Sequence, residues 1–189
     1  MKNWNLPIAL TWLRIILIPV FTLLFFLPYR EVDPHWLDWL AAAIFALAAI
    51  TDWFDGFLAR RWQQTSDFGA FLDPVADKLM VAAALILLVY LDRTSPIAAM
   101  IIIGREITIS ALREWMAQAG KRNSIAVATI GKFKTAAQMV AIILLLIDRI
   151  PSLGLDFLFL GNVLMVIACI LTLWSMFHYL LLAAREFRR

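Results

Sequence analysis

Residues 52–60 read Asp-Trp-Phe-Asp-Gly-Phe-Leu-Ala-Arg, and residues 69–77 read Gly-Ala-Phe-Leu-Asp-Pro-Val-Ala-Asp. These stretches place aspartates among long apolar runs, where an ionised carboxylate is costly unless something pairs with it. On a helix, the two aspartates of each stretch share one face, because they are three or four positions apart. Carboxylates converging from two helices predict a site for a hard divalent cation, Mg²⁺ or Mn²⁺. The predicted metal ligands are Asp52, Asp55, Asp73 and Asp77.

The composition around these stretches is that of a membrane protein. Of the 189 residues, 63% are hydrophobic and only 16% are charged, and the mean hydropathy is +0.83. A soluble domain of this length does not need so much apolar surface, so we expect membrane lipids to surround the chain. The basic residues form no extended stripe with interleaved aromatic residues, so no nucleic-acid partner is predicted.

Six apolar segments have about the 20 residues that a membrane-spanning helix needs. Neither an internal repeat nor a linker separates them, which predicts a single domain over residues 1–189. The predicted fold class is therefore all-α, a polytopic membrane protein with six transmembrane helices. Their predicted bounds are Leu6–Pro28, Trp36–Arg60, Phe68–Leu91, Pro96–Ala119, Ile130–Ile147 and Phe157–Ala184.

The distribution of basic residues predicts the orientation of these helices. With both termini cytoplasmic, the outer loops contain only Arg30, Arg93 and Arg149. Asp148 also falls in an outer loop, where exposure to water is sufficient to explain it. Because basic residues favour the cytoplasmic side, both termini and the aspartate cluster are predicted to face the cytoplasm. The basic residues on that side are Lys2, Arg60, Arg61, Lys121, Arg122, Lys132, Lys134, Arg185, Arg188 and Arg189.

Small residues follow the first aspartate on its helical face. Gly56 and Ala59 lie four and seven positions after Asp52, so a bulky group such as a nucleotide can approach the backbone there. A small-residue face for helix packing is the alternative explanation. Arg60 follows with a planar donor group suited to a diphosphate, which favours the ligand-binding interpretation.

The spacing of these residues resembles the signature of the CDP-alcohol phosphatidyltransferase family. The pattern is Asp52-x2-Asp55-Gly56-x2-Ala59-Arg60-x8-Gly69-x3-Asp73-x3-Asp77, and it matches without departure. Two further regions are similar to bacterial members that make phosphatidylglycerophosphate: Asn5-Leu6-Pro7 with Thr11 and Arg14, and Gly104-Arg105-Glu106 through Arg113 to Thr135. The resemblance covers nearly the whole chain and is weakest in the outer loops.

The resemblance implies a homodimeric enzyme of the bacterial inner membrane. Its members transfer the phosphatidyl group of CDP-diacylglycerol to an alcohol and release CMP, with two divalent cations at the active site. It implies that Asp52, Asp55 and Asp73 bind metal, and that Asp77 contacts metal and acts as the general base. From the residues alone, these roles remain exchangeable among the aspartates. The resemblance also implies a CDP-diacylglycerol site formed by Asn5, Thr11, Gly56, Ala59, Arg60 and Gly69.

The resemblance further implies that the acceptor is sn-glycerol 3-phosphate, whose phosphate needs cationic donors. Arg105 and Arg113 are eight positions apart and lie on one flank of the fourth helix. Because Arg105 lies inside an apolar stretch, it requires a partner, and Glu106 or a ligand phosphate can supply one. Lys132 and Lys134, at the start of the fifth helix, add positive charge near the same membrane face.

Other functions use the same carboxylates. A different acceptor, such as serine, inositol phosphate or phosphatidylglycerol, leaves the aspartate pattern unchanged. A cation- or proton-coupled transporter also needs intramembrane carboxylates, but such transporters commonly contain repeats, and no repeat is visible here. A membrane scaffold with buried carboxylates leaves Gly56, Ala59 and Arg60 unexplained.

Overall fold

The structure is a computed structural model of the chain, and six α-helices account for most of what it describes. It describes the backbone of residues 6–26, 34–62, 67–119, 130–150 and 155–187, and the side chains of residues 11–26, 36–51, 71–119, 134–148 and 156–184. The helices are α1 (Leu6–Leu23), α2 (Pro34–Trp62), α3 (Asp67–Tyr90), α4 (Pro96–Gln118), α5 (Ile130–Ile147) and α6 (Phe157–Phe187).

These bounds confirm the predicted all-α class and the number of helices. A 3₁₀ turn, Leu24–Phe26, continues α1, and the rest of the first predicted segment lies outside the described residues. The structure adds a short ribbon that the sequence does not predict, in which β1 (Arg149–Ile150) pairs antiparallel with β2 (Leu155–Asp156). Since each strand has two residues, the ribbon only closes the turn between α5 and α6.

The helices pack into a bundle with contacts between elements distant in sequence. The helix α5 lies against α6 and α2, α1 lies against α2 and α3, and α4 lies against α3 and α6. Aromatic and aliphatic side chains fill the centre, where Phe21 contacts Phe45 with ring centroids 6.5 Å apart. The most deeply buried apolar side chains include Phe21, Phe45, Leu85, Leu88, Ile102, Ile142, Leu145 and Leu146.

An ionic cluster ties the helices together where α3 turns into α4. Arg93 donates to Asp38 at 2.8 Å and lies 3.5 Å from Asp148, so one guanidinium joins α2 to the end of α5. It also donates to the carbonyl oxygen of Leu146 at 2.8 Å. The expectation that exposure to water suffices to explain Asp148 is therefore wrong, because this carboxylate lies in a partly buried ion pair.

The outer surface of the bundle is largely apolar. Along α6, exposed side chains recur three, four or seven positions apart on one face: Phe159, Val166, Ile170, Trp174 and Phe177. Among the described residues, the stretch Phe157–Ala184 has the length and hydropathy to cross a bilayer, with a mean hydropathy of 2.4. Three shorter apolar helical stretches accompany it: Thr11–Phe26, Trp36–Thr51 and Lys134–Ile147.

Candidate active site

A cavity of about 510 Å³ lies between α3, α4, α5 and α6. Its walls combine an aspartate from α3 with basic side chains from three of these helices, and apolar side chains complete the lining. The residues that line it are Asp77, Lys78, Val81, Arg105, Glu106, Arg113, Lys134, Thr135, Ala136, Gln138, Met139 and Tyr179.

The carboxylate side of the site is carried by α3. Asp77 lines the cavity, and Asp73 lies one helical turn earlier. The hydroxyl of Thr11 on α1 donates a hydrogen bond to Oδ1 of Asp73. Because Thr11 is only 1% exposed, this bond holds the Asp73 side chain against α1 and restricts its orientation.

The opposite wall carries three charged groups that share one oxygen atom. Oε1 of Glu106 accepts a hydrogen bond from Nη1 of Arg105 and another from Nζ of Lys134, each at 2.8 Å. Arg105 also donates to the hydroxyl of Ser175 on α6 at 3.3 Å. The prediction that Glu106 pairs with Arg105 is confirmed, and the additional pair with Lys134 was not foreseen from sequence.

Arg113 lies at the same cavity but has a different kind of neighbour. Its guanidinium carbon lies 5.6 Å from the centroid of the Tyr179 ring on α6, which is the geometry of a cation–π contact. Tyr179 is buried, whereas Arg113 is exposed. The arginine therefore has one face on an aromatic ring and its donors available to a ligand.

A second, smaller cavity connects this site to α1 and α2. Asp77, Val81 and Met139 line it together with Arg14, which is 1% exposed. An arginine buried this deeply beside a carboxylate of the site belongs to its surroundings, although the sequence does not predict a role for it.

Several predicted site residues are brought together in the larger cavity: Asp77, Arg105, Arg113 and Lys134. Thr11 reaches the site through Asp73. For seven others the structure describes the helical backbone but not the side chain. They are Asp52, Asp55, Gly56, Ala59 and Arg60 in α2, Gly69 in α3 and Lys132 in α5. Asn5 lies outside the described residues.

The metal site remains a prediction. Of its four carboxylates, only those of Asp73 and Asp77 belong to the described side chains. Among all the side chains that the structure describes, no three His, Cys, Asp or Glu residues lie close enough together to hold a metal ion. The helix α2, which carries Asp52 and Asp55, does contact α3, and carboxylate oxygens are the donors that Mg²⁺ and Mn²⁺ prefer.

A comparison with known protein families shows which family the chain belongs to. The model of the family described as CDP-alcohol phosphatidyltransferase matches residues 4–174. The chain belongs to the CDP-alcohol phosphatidyltransferase family. The match includes both aspartate stretches and every helix that lines the cavity as far as residue 174 in α6, so the resemblance inferred from the signature is confirmed.

Curated members of the CDP-alcohol phosphatidyltransferase family are similar to this chain over nearly its full length. A protein of Sodalis glossinidius is 51% identical over 189 residues, covering 96% of each chain. Proteins of Shigella flexneri and Escherichia coli K12 are 52% identical over 180 residues, covering 94% of each chain. All three are named CDP-diacylglycerol--glycerol-3-phosphate 3-phosphatidyltransferase.

Other residues line the cavity of this family member or contact its lining, and the sequence does not predict them as part of the site. Lys78 directly follows Asp77, and Gln138 lies one turn after Lys134 on α5, so helical spacing from predicted residues is the signal that could have found them. Tyr179 and Ser175 lie on α6, far from every motif in the sequence. Only tertiary packing brings them to Arg113 and Arg105.

Proposed function

We propose that this chain transfers the phosphatidyl group of CDP-diacylglycerol to sn-glycerol 3-phosphate, giving phosphatidylglycerophosphate and CMP. The observation that carries the proposal is the cavity in which Asp77 faces Arg105, Arg113 and Lys134. A carboxylate opposite a group of cations suits an alcohol that carries a phosphate. The names of relatives that are about half identical along nearly the whole chain support the same reaction.

The enzyme works in a bilayer. Six helices span the inner membrane as one domain, with both termini and the mouth of the site on the cytoplasmic side. The apolar outer surface supports this, since Trp174 is 70% and Phe177 65% exposed on α6. Large apolar side chains exposed along a whole helix face are stable in lipid and costly in water. The functional unit is a homodimer, which the molecular mass of the detergent-solubilised protein tests.

CDP-diacylglycerol binds on the α1, α2 and α3 side of the bundle. Gly56 and Ala59 leave room for the nucleotide, and Arg60 donates to the diphosphate, with Asn5, Thr11 and Gly69 completing the site. The hydrogen bond from Thr11 to Asp73 supports this placement, because it joins a predicted nucleotide-site residue to a predicted metal ligand.

The donor set suits a pair of divalent cations. Asp52, Asp55, Asp73 and Asp77 would hold them through oxygen atoms, the donor type of Mg²⁺ and Mn²⁺. When bound, such cations neutralise the charge on the diphosphate and stabilise the departing CMP. Thr11 orients the Asp73 carboxylate for this role through its hydrogen bond.

Asp77 is the general base of the reaction. It lines the cavity that the acceptor enters, so its carboxylate can take the proton from the attacking hydroxyl. The hydroxyl oxygen then forms its bond to the phosphorus that carries the diacylglycerol, and the bond from that phosphorus to the CMP oxygen breaks. General-base catalysis of this kind contributes about 10²- to 10⁴-fold.

The charge of the cavity favours a phosphorylated acceptor. Lys78, Arg105, Arg113 and Lys134 are balanced by only two carboxylates, those of Asp77 and Glu106, which leaves a formal charge of +2. A phosphate monoester carries close to two negative charges near neutral pH. Lys132, at the start of α5, adds to the same positive region. Serine has no net charge, so the positive charge of the cavity does not attract it in this way.

The test is a transfer assay on purified protein in detergent. With CDP-diacylglycerol, Mg²⁺ and labelled glycerol 3-phosphate, the protein is expected to release CMP and form a labelled lipid. Asp77→Asn is expected to abolish both, while gel filtration shows a folded protein. Asp92→Asn, an exposed position with a φ of 57° that asparagine also adopts, is the matched control.

Parallel assays with serine, inositol phosphate and phosphatidylglycerol test the choice of acceptor. Faster transfer to any of these than to glycerol 3-phosphate would contradict the proposed acceptor. Metal flux in liposomes without a lipid product would contradict phosphatidyl transfer and favour a transporter.

A further inference from the structure

Two side chains that line the acceptor cavity each contain a buried polar atom without a hydrogen-bond partner among the described residues. Gln138 is 3% exposed, and its Oε1 accepts no hydrogen bond. Arg105 is 8% exposed, and its Nε donates none. Both side chains line the cavity. Because a buried polar atom without a partner costs about 1–3 kcal/mol, this pair indicates a ligand that supplies one donor and one acceptor.

Gln138 and Asp77 line the same cavity and lie at similar distances from the starts of their own helices. It is eight residues from the start of α5, or about 12 Å along the helix axis, and Asp77 is ten residues from the start of α3, or about 15 Å. Lys134 lies one turn nearer the start of α5 and donates to Glu106. The amide therefore lies beyond the cation cluster, in the part of the cavity that Asp77, Val81 and Met139 also line.

We propose that Gln138 binds the hydroxyl of the acceptor that does not react. This inference rests on the proposed function, in which the phosphate of glycerol 3-phosphate meets the cations and its terminal hydroxyl meets Asp77. Between those two groups the acceptor carries one more hydroxyl, on its central carbon. That hydroxyl donates to Oε1 of Gln138, and a phosphate oxygen accepts from Nε of Arg105.

The chemistry of an amide suits this role better than that of a carboxylate. An amide accepts a hydrogen bond without taking up a proton near neutral pH, so Gln138 does not compete with Asp77 for the proton of the attacking hydroxyl. The other neighbours in this part of the cavity, Val81 and Met139, offer no comparable acceptor. Gln138 thereby makes the site selective for a phosphorylated alcohol with a second, adjacent hydroxyl.

The experiment compares two acceptors in two proteins. One acceptor is sn-glycerol 3-phosphate, and the other is 3-hydroxypropyl phosphate, which lacks only the central hydroxyl. The proteins are the unsubstituted chain and Gln138→Met, which keeps the side-chain length without the amide. The unsubstituted chain is expected to prefer glycerol 3-phosphate by about 10- to 100-fold in kcat/KM. Gln138→Met is expected to lose most of that preference, with an unchanged KM for CDP-diacylglycerol.

Gln118→Met, at an exposed position on α4, is the matched control and is expected to keep the full preference. Equal use of both acceptors by the unsubstituted chain, or a full preference retained in Gln138→Met, would overturn the inference. Should Gln138→Met not fold, Gln138→Asn tests the same point, because its side chain is one methylene shorter and holds the amide farther from the acceptor hydroxyl. Failure of the proposed function has a separate signature, because neither acceptor would then yield CMP in any of the proteins.

Discussion

Glu106 and Lys134 are 28 positions apart in the chain, and their side chains meet at 2.8 Å. The same carboxylate oxygen also accepts from Arg105 at 2.8 Å, so a single atom of α4 holds two cations at the wall of the cavity. Without that oxygen the two cations would repel each other, and Lys134, which is 2% exposed, would lie buried without this counter-ion. Glu106 is therefore a positioning residue for the acceptor cations.

Glu106→Gln tests this relationship. The amide keeps the shape of the side chain but not its charge, so Arg105 and Lys134 are expected to separate. We expect kcat/KM for glycerol 3-phosphate to fall about tenfold or more, and the KM for CDP-diacylglycerol to change little. Glu114→Gln, at an exposed position on the same helix, is the control and is expected to leave both values unchanged. Equal losses for the two substrates would indicate a general structural role instead.

The contact between Arg113 and Tyr179 predicts a graded series. Arg113→Ala is expected to raise the KM for glycerol 3-phosphate about tenfold or more, because a phosphate donor is lost. Tyr179→Leu removes only the ring under the guanidinium, worth about 0.5–1 kcal/mol, so a rise of about two- to fivefold is expected. Tyr179→Phe keeps the ring and is expected to behave like the unsubstituted chain. A strong defect in Tyr179→Phe would show that the phenol hydroxyl, and not the cation–π contact, is what matters.

Thr11 is expected to act through Asp73. Thr11→Val keeps the shape of the side chain but removes the hydroxyl that donates to Oδ1 of Asp73. Loss of such a supporting hydrogen bond typically weakens metal binding about 10- to 100-fold, so half-maximal activity should need that much more Mg²⁺. The control is Thr22→Val on the same helix, whose hydroxyl donates only to the carbonyl oxygen of Ile18. An unchanged Mg²⁺ requirement in Thr11→Val would separate Thr11 from the metal ligands.

The ion pairs of Arg93 predict an effect on stability without one on acceptor binding. Arg93→Met removes the ion pair that Arg93 makes with the Asp38 carboxylate, which is 5% exposed. Breaking a buried pair in this way costs about 3–5 kcal/mol, so a lower Tm in detergent is expected. The KM for glycerol 3-phosphate should not change, since Arg93 lies at the other end of α4 from Arg113. Asp92→Asn again provides the control, and a Tm equal in both variants would refute the structural role of Arg93.

A side chain added at Gly161 is expected to disturb the packing of α5 against α6. A Cβ at this position would lie 2.7 Å from Cγ of Leu145 and 3.3 Å from its backbone nitrogen. Gly161→Ala is therefore expected to destabilise the protein by about 1–3 kcal/mol, measured by thermal unfolding in detergent. Gly104→Ala is the matched control, because a Cβ there meets nothing within 4 Å. Similar Tm values for the two variants would contradict the close approach of the helices.

The sequence by itself determined the helices and the family. Six apolar segments predicted six helices whose bounds agree closely with α1 to α6, because helix length and side-chain hydropathy are properties of local sequence. The spacing of the aspartates determined the family for a similar reason, since three- and four-residue intervals place ligands on one helical face. The predicted partnership of Arg105 with Glu106 follows from adjacent positions in an apolar stretch.

Only the tertiary structure decided which distant side chains meet at the cavity. Lys134 reaches Glu106 from another helix, and Tyr179 on α6 lies under Arg113 although no motif marks it. The ion pairs of Arg93 could not be predicted from the sequence either, because Asp38 and Asp148 belong to separate segments. The physical reason is that helical periodicity fixes which residues share a face, whereas the packing of one helix against another fixes which faces meet.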